Sequence, residues 1–341
     1  MASPGGRRQR KPSMYDVAEL AGVSHQTVSR VINGYPNIRE TTRQRVLDAI
    51  AQVRYTPNSI ARALATNRTM QIGVLVDSPI HYGPSSIARA IEAAAAAAGY
   101  SVSSISVSDA PELGLDPGVS QLLTHGVDAL CAIAPRDSSI AALRELSVEV
   151  PTLAIMSAPD DRLLTVAVDQ RAGAALAVRH LMELGHRRIA HIAGPSDWVE
   201  ARIRRDTWRD ELVSAGLPVR APVEGDWTAD FGYRAGLDPE SVGDATAVFV
   251  ANDQMAFGVM HGLRDRGVLV PQQISVVGFD DVPEARHLYP PLTTVRQNFR
   301  ALGERGMAAL LARMNGVVSP SPQLVAPELI VRDSTAQPLV E

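Results

Sequence analysis

The chain has 341 residues, 45% apolar and 21% charged, too long for one compact core, so two or three globular domains are expected. No apolar run reaches membrane-spanning length, and the charged N-terminus lacks the apolar stretch of a secretory signal. The net charge of −4 hides an asymmetry: residues 1–69 carry eleven Lys and Arg against four Asp and Glu, while the remainder carries 22 against 33. A basic head on an acidic body suits a protein of which only one module approaches phosphates. The single cysteine, Cys131 in DALCAIA, excludes an internal disulfide framework, fits a reducing cytoplasm and reads as a buried small hydrophobe.

Residues 1–13 read as a disordered basic arm. The next stretch, Tyr15 to Asn33, is YDVAELAGVSHQTVSRVIN. Val17, Ala18, Leu20 and Ala21 predict one apolar face of a first short helix, Gly22 a left-handed turn, and Ser24 the N-cap of a second helix. In that second helix Val28, Val31 and Ile32 turn inward, leaving His25, Gln26, Ser29, Arg30 and Asn33 on the other side. This is the pattern of a helix-turn-helix with polar side chains near the N-terminus of its second helix, where base edges are read. A third helix over about Glu40 to Val53, with Val46, Leu47, Ile50 and Val53 at helical spacing, completes a small core. Pro57 stops it, and Asn58 can cap the short run SIARALA, which is too short to be a stable helix alone. On the residues alone, that run reads as a simple linker with Leu64 as a core residue.

From Ile72 onward strands and helices alternate. Expected strands are Ile72–Val76, Val102–Val107, Ala129–Ile133 and Thr152–Ile155. A second set opens near Val166, with strands Ile189–Ile192, Ala247–Val250 and Ser275–Gly278, and Leu324–Val331 closes the series. Helices are expected at about Pro84–Ala98, from Asp116, at Arg171–Leu184, Glu200–Ala215, Asp253–Arg266 and Arg300–Met314. Two consecutive βα series predict two doubly wound lobes with a ligand cleft at their strand ends. The turn after the first strand, DSPIHYGPSS, has no GxGxxG, and neither GxxxxGK[ST] nor GxSxG occurs. No histidine pair has metal spacing, His186 in GHRR reads as a helix C-terminal cation, and no nucleophile–base set is visible. Neither an enzyme nor a metal or cofactor site is expected.

Polar residues after strands suggest a ligand set instead: Asp77, Asn252 and Asp253, and Asp280 and Asp281, with Arg202 opening a long helix and Gln297 farther on. Carboxylates, amides and a guanidinium bind sugar hydroxyls bidentately, and Trp227 in EGDWTAD offers a face for C–H groups. Asn252 and Asp253 read equally well as helix caps, and one of Asp280 and Asp281 as a loop brace.

The headpiece run, together with VANDQMAFG and ISVVGFDD…YPPLTTVRQNF, resembles the LacI/GalR family of bacterial transcription regulators, from about Met14 to Val331. The resemblance implies an α-helical helix-turn-helix headpiece joined by a hinge helix to a two-lobed α/β periplasmic-binding-protein-like domain. The expected boundaries are 14–57 for the headpiece, 58–69 for hinge and linker, 70–335 for the effector and dimerisation domain, and 336–341 for the tail. Lobe 1 would take about 70–169 and 296–326, and lobe 2 about 170–295 and 327–335. It implies DNA contacts by Tyr15, Ser24, His25, Gln26, Thr27, Ser29, Arg30 and Asn33 in the major groove, and by Ala61 and Leu64 of the hinge in the minor groove, Leu64 wedging between bases. It implies sugar contacts by Arg202, Trp227, Asn252, Asp280 and Gln297, with Phe299 as an apolar wall. Met156 and Val168 stand where family pockets can carry an acid and an aromatic. Asp77 and His81 replace small or apolar residues, as though the acid had moved across the cleft.

The expected function is a cytoplasmic repressor of carbohydrate-utilisation genes, released from a pseudo-palindromic double-stranded operator when a carbohydrate, a galactoside or related glycoside, binds. No leucine-heptad tail precedes Glu341, so a homodimer is expected. The alternatives are a non-regulatory sugar-binding protein, a sugar-processing enzyme, or a corepressor-dependent regulator sensing a purine.

Overall fold

In the computed structural model the described residues are 12–32, 35–55, 68–107, 115–146, 148–157, 160, 162–317 and 323–339. The basic arm up to residue 11, Asn33, and the hinge run with Ala61 and Leu64 lie outside them. Two compact units divide between Thr69 and Met70.

The first unit has three helices: α1 (Met14–Ala21), α2 (His25–Ile32) and α3 (Glu40–Val53). Ser13 caps α1 reciprocally: its hydroxyl accepts from the Asp16 N–H and the Asp16 carboxylate accepts from the Ser13 N–H at 2.6 Å. Gly22, at φ 61°, makes the left-handed exit from α1. The Ser24 hydroxyl accepts from the Thr27 N–H at 3.2 Å, as its N-cap role requires. Val17, Ala18, Ala21, Val28, Val31, Val46 and Ala49 form the core. Leu20 and Leu47, expected inside, are each 45% exposed. The small core is closed at those positions by Ala21 and Ala49, leaving no room for a leucine on the same face.

The second unit contains two six-stranded sheets. The first orders its strands as β11 (Gln323–Val325), β5 (Leu164–Val168), β4 (Thr152–Ile155), β3 (Ala129–Ile133), β1 (Gln71–Asp77) and β2 (Ser101–Val107), all parallel. The second orders them as β12 (Glu328–Ile330), β10 (Thr293–Arg296), β9 (Ser275–Asp280), β8 (Ala247–Val250), β6 (Ile189–Ala193) and β7 (Val223–Glu224), with only β12 antiparallel. Continuous burial along β3, β6, β8 and β9 follows from helices on both faces. The helices here are α4 (Tyr82–Ala97), α5 (Asp116–Thr124), α6 (Asp137–Glu145), α7 (Gln170–Glu183), α8 (Val199–Ser214), α9 (Ala229–Leu237), α10 (Pro239–Val242), α11 (Asp253–Asp265) and α12 (Phe299–Met314).

Two sequence expectations change. The closing strand Leu324–Val331 is two short strands, one in each sheet, because Pro327 cannot donate to a ladder and the chain changes sheets there. The strand near Val166 closes the first sheet rather than opening the second. The chain therefore passes between sheets after β5, after β10 and after β11, and these passages frame the cleft.

Candidate functional site

The first unit presents a recognition surface. On α2, His25, Gln26 and Arg30 are exposed, and Thr27 and Ser29 are half-buried. Tyr15, 68% exposed, stacks on His25 with ring centroids 5.4 Å apart, so α1 braces the first polar side chain of α2. These residues share one face of α2, with Val28 and Val31 on the other.

The second unit contains a cleft of about 670 Å³ bordered by residues from both sheets. Trp227, Asn252, Asp280, Gln297 and Phe299 line it, together with the sequence-flagged Met156, Val168 and His81. Two expected ligand residues do not. Arg202 is turned outward and donates to the Ser196 carbonyl and the Asp137 carboxylate at 2.8 and 2.7 Å. Asp77 is fully buried beneath the cleft, where Arg136 and Ser139 both donate to its carboxylate. A buried carboxylate needs such partners, and β1 alone gave no sign of an arginine 59 positions away.

The arginine that lines the cleft is Arg204. Ala201, Arg204, Trp208 and Leu212 make the buried stripe of α8, which turns Arg204 inward and Arg202 out. The Arg204 Nε donates to Gln170 Oε1 at 2.9 Å and its Nη1 to the Ala251 carbonyl at 2.6 Å, with the guanidinium 3.8 Å above the Phe279 ring. Gln170 Nε2 donates to Gln297 Oε1 at 2.9 Å, and Gln297 Nε2 donates to Asp280 Oδ1 at 2.6 Å. The result is a one-way hydrogen-bond chain from cation to carboxylate through two amides. Gln170 opens α7 and Gln297 follows β10, so the chain ties together two of the passages between sheets.

Burial raises the Asp280 carboxyl to about 6, with Arg204 and Gln297 acting against that rise. Burial likewise lowers the Arg204 guanidinium and raises Asp253 well above the carboxylate range. Asp253 accepts from the Thr294 hydroxyl and the Val282 N–H at 2.6 and 2.9 Å and braces the loop after β9. Asp281 is the second brace, held by Arg296 and Arg332. Asn252 caps α11 through Oδ1 while its Nδ2 donates to the Trp227 carbonyl at 3.1 Å, so capping and placement of the aromatic coincide. Trp227 and Asp280 take left-handed φ values of 71° and 117°, strained for side-chain-bearing residues and located where side chains must turn into the cleft. Gly194 makes room for Trp227: a Cβ there would overlap the indole ring.

Sequence reasoning missed Arg204, Gln170, Glu200 and Trp198, all of which line the cleft. The four-residue recurrence of Arg204 with Trp208 and Leu212 was the signal for the first. His186 is no cation at a helix end. It is buried, hydrogen-bonded by Thr246, Ser275 and the Ala336 carbonyl, and burial lowers its pKa. Cys131 is buried and its thiol is pushed up to about 12. Among the described residues there is no cluster of three or more metal-ligating side chains and no helix long and apolar enough to cross a membrane.

A helix-turn-helix on a two-lobed cleft domain defines a ligand-responsive DNA-binding regulator. Residues 13–58 match the model of bacterial regulatory proteins, lacI family, and residues 178–335 that of the periplasmic binding protein-like domain. The chain is 36% identical to the lactose operon repressor of Escherichia coli (strain K12), over 96% of this chain and 91% of that one. Among solved structures, the lac repressor dimer bound to operator and the anti-inducer ONPF matches with a TM-score of 0.82 at 36% identity, covering 96% of this chain and 100% of that one. The complex of the transcriptional regulator CelR with cellobiose matches with a TM-score of 0.70 at 30% identity, covering 95% and 99%. The chain belongs to the LacI family of bacterial transcriptional regulators.

Proposed function

We propose that this protein is a repressor whose homodimer holds a pseudo-palindromic operator in the cytoplasm and releases it when a neutral carbohydrate enters the cleft. The observation that carries the reading is the chain Arg204–Gln170–Gln297–Asp280, which offers a sugar buried donors and acceptors at two of the passages between sheets. A ligand that engages it favours one lobe arrangement by its differential contacts, and that preference is what can be transmitted to DNA binding. On the operator, Arg30 suits guanine O6 and N7, His25 and Gln26 reach neighbouring base edges, and Tyr15, Ser24, Thr27 and Ser29 fix register on the backbone.

Dimerisation is supported by an apolar surface on the second lobe with Phe257, Met260, Leu269 and Tyr289, the last two being 58% and 99% exposed. The reading includes no turnover: the sugar leaves the cleft unchanged.

The test is fluorescence anisotropy of a labelled operator from upstream of the gene, with mono- and disaccharides titrated in. Release by a saccharide supports the proposal. Operator affinity unchanged by every saccharide overturns it, and tightening by a purine replaces it with corepression.

A further inference from the structure

The polar chain described above does not account for one carboxylate in the cleft. Glu200, on the first turn of α8, lines the cleft one helical turn before Arg204. Its carboxylate accepts from its own N–H and from the hydroxyl and N–H of Ser157, which follows β4 in the other lobe. Its Oε2 is shielded from solvent and has no hydrogen-bond partner. The second such atom in the cleft is Trp227 Nε1, a donor without an acceptor. Buried polar atoms are nearly always paired, so an unpaired acceptor and an unpaired donor in one cleft describe a ligand that supplies both.

Charge defines that ligand further. Glu200 and Asp280 each feel the Arg204 guanidinium, and neither registers the other. Arg204 therefore lies between two carboxylates, and the site holds a row of acceptor, cation and acceptor that calls for hydroxyls rather than a charged group.

The aromatic groups extend along the same direction. His81 meets Trp198 edge-on with centroids 5.1 Å apart, and Trp198 meets Trp227 edge-on at 5.4 Å. Three rings at near-equal spacing make a wall longer than one sugar ring, matched to successive rings of a glycoside. Asp280, Gln297 and Asn252 with Trp227 serve one ring, and Glu200 with Trp198 stands where a second would lie.

We infer that the cleft takes a neutral saccharide of two or more units, and that Glu200 is the specificity residue for the second unit, accepting a hydroxyl at Oε2 while Trp198 covers the ring. This inference rests on the carbohydrate reading of the cleft. It also gives the second unit a place in lobe coupling. The start of α8 is bound to the first lobe by the Arg136–Trp198 backbone bridge, by the Val199 N–H to the Pro135 carbonyl at 3.0 Å, and by Ser157 on Glu200. A sugar seated on Glu200 touches that junction, whereas a monosaccharide held at Asp280 does not.

The experiment is calorimetric titration of the full chain with cellobiose, lactose, glucose, galactose and, as a contrast, hypoxanthine, repeated on Glu200→Gln. Operator binding without ligand reports that each preparation is folded. The expected result is that one disaccharide binds at least tenfold tighter than either monosaccharide, and that Glu200→Gln loses about tenfold or more for it, the cost of a hydrogen bond to a charged acceptor. In Glu200→Gln the remaining monosaccharide affinity should be unchanged. A monosaccharide binding as tightly as the disaccharides, or Glu200→Gln leaving every affinity in place, overturns this inference and leaves the carbohydrate reading standing. Hypoxanthine as the only binder, or no saccharide binding by a chain that still holds operator, overturns both.

Discussion

The two units recognise their targets by opposite physical means. The headpiece keeps its recognition groups wet: His25, Gln26 and Arg30 stand exposed on an eight-residue helix over a core of alanines and valines. The cleft keeps its groups dry: Arg204, Gln170, Gln297 and Asp280 are buried and hydrogen-bonded to one another before any ligand arrives. A charged polymer is attracted from a distance and can be read by hydrated, mobile side chains, whose contacts strengthen as salt falls. A small neutral ligand supplies no such attraction, so its site must be pre-organised and must hold its charges out of water beforehand. The cost of that burial appears as shifted proton affinities, which among the described residues are resolved in the second unit and nowhere on α2.

The strongest way to break this contrast is Arg204→Ala. Removal leaves the Ala251 carbonyl and Gln170 Oε1 without a donor and Asp280 without its nearest opposing charge. Saccharide binding should vanish, and chemical denaturation should report a loss of about 3–5 kcal/mol, as for other broken buried charge arrangements. Wild-type affinity in this variant would place the ligand elsewhere.

Proton linkage sharpens the same point. His191, stacked between Trp208 and Phe249, is held at about 4 by burial. With a folded pKa below its unfolded value, it contributes stability that is complete above about 6.5 and lost as pH falls toward 4. Asp280 has the opposite sign. Raised to about 6, it contributes stability that is present below its ordinary 3.8 and lost as pH rises through 6. Asp280→Asn removes the opposing slope, so between pH 7 and 4 its unfolding free energy should fall by on the order of 3 kcal/mol more than that of the wild type. Urea titrations at the two pH values measure this, and equal slopes would show that Asp280 ionises as an exposed carboxylate does. Saccharide affinity should also weaken as pH falls through about 6, where Asp280 takes up its proton.

In the headpiece, Arg30→Ala should cost about 1–3 kcal/mol of operator affinity if the side chain reads a guanine, and should relax specificity at that one base pair. Saccharide titration of the same variant should match the wild type. A uniform loss across operator sequences with a shallower salt dependence would make Arg30 a phosphate contact.

The headpiece was legible because its information is local. Capping serine, glycine turn and apolar period all lie within twenty residues, and α1, α2 and α3 form from them. Loop residues that end buried strands were legible too: Asn252 and Asp280 are polar groups directly after apolar runs. Gln170, Glu200 and Trp198 were not, because each becomes a site residue only through partners from other passages of the chain. Asp77 shows the converse. A carboxylate after a first strand looked like a ligand group until Arg136 and Ser139 met it underneath. The split of the last strand between two sheets was likewise invisible to a hydropathy pattern that sees one continuous run.

Arg202 and Arg204 state the contrast within a single helix, and the smallest expected effect is therefore the most instructive. Two positions turn a helix by about 200°, so a sugar-binding arginine placed at 202 rather than 204 sits on the wrong side of α8. Arg202 pairs with Asp137 on the surface, the two side chains being 30% and 62% exposed. Such a pair contributes about 1 kcal/mol at most, because water and salt screen it and two long side chains lose freedom to form it. Arg202→Ala should therefore shift stability by less than Arg204→Ala by a wide margin and should leave saccharide affinity near wild type. Asp137 belongs to the first lobe and Arg202 to the second, so any residual effect should appear in ligand-induced operator release, by less than about threefold. If Arg202→Ala instead abolished saccharide binding, the phase of α8 would be wrong and the buried chain from Arg204 to Asp280 with it.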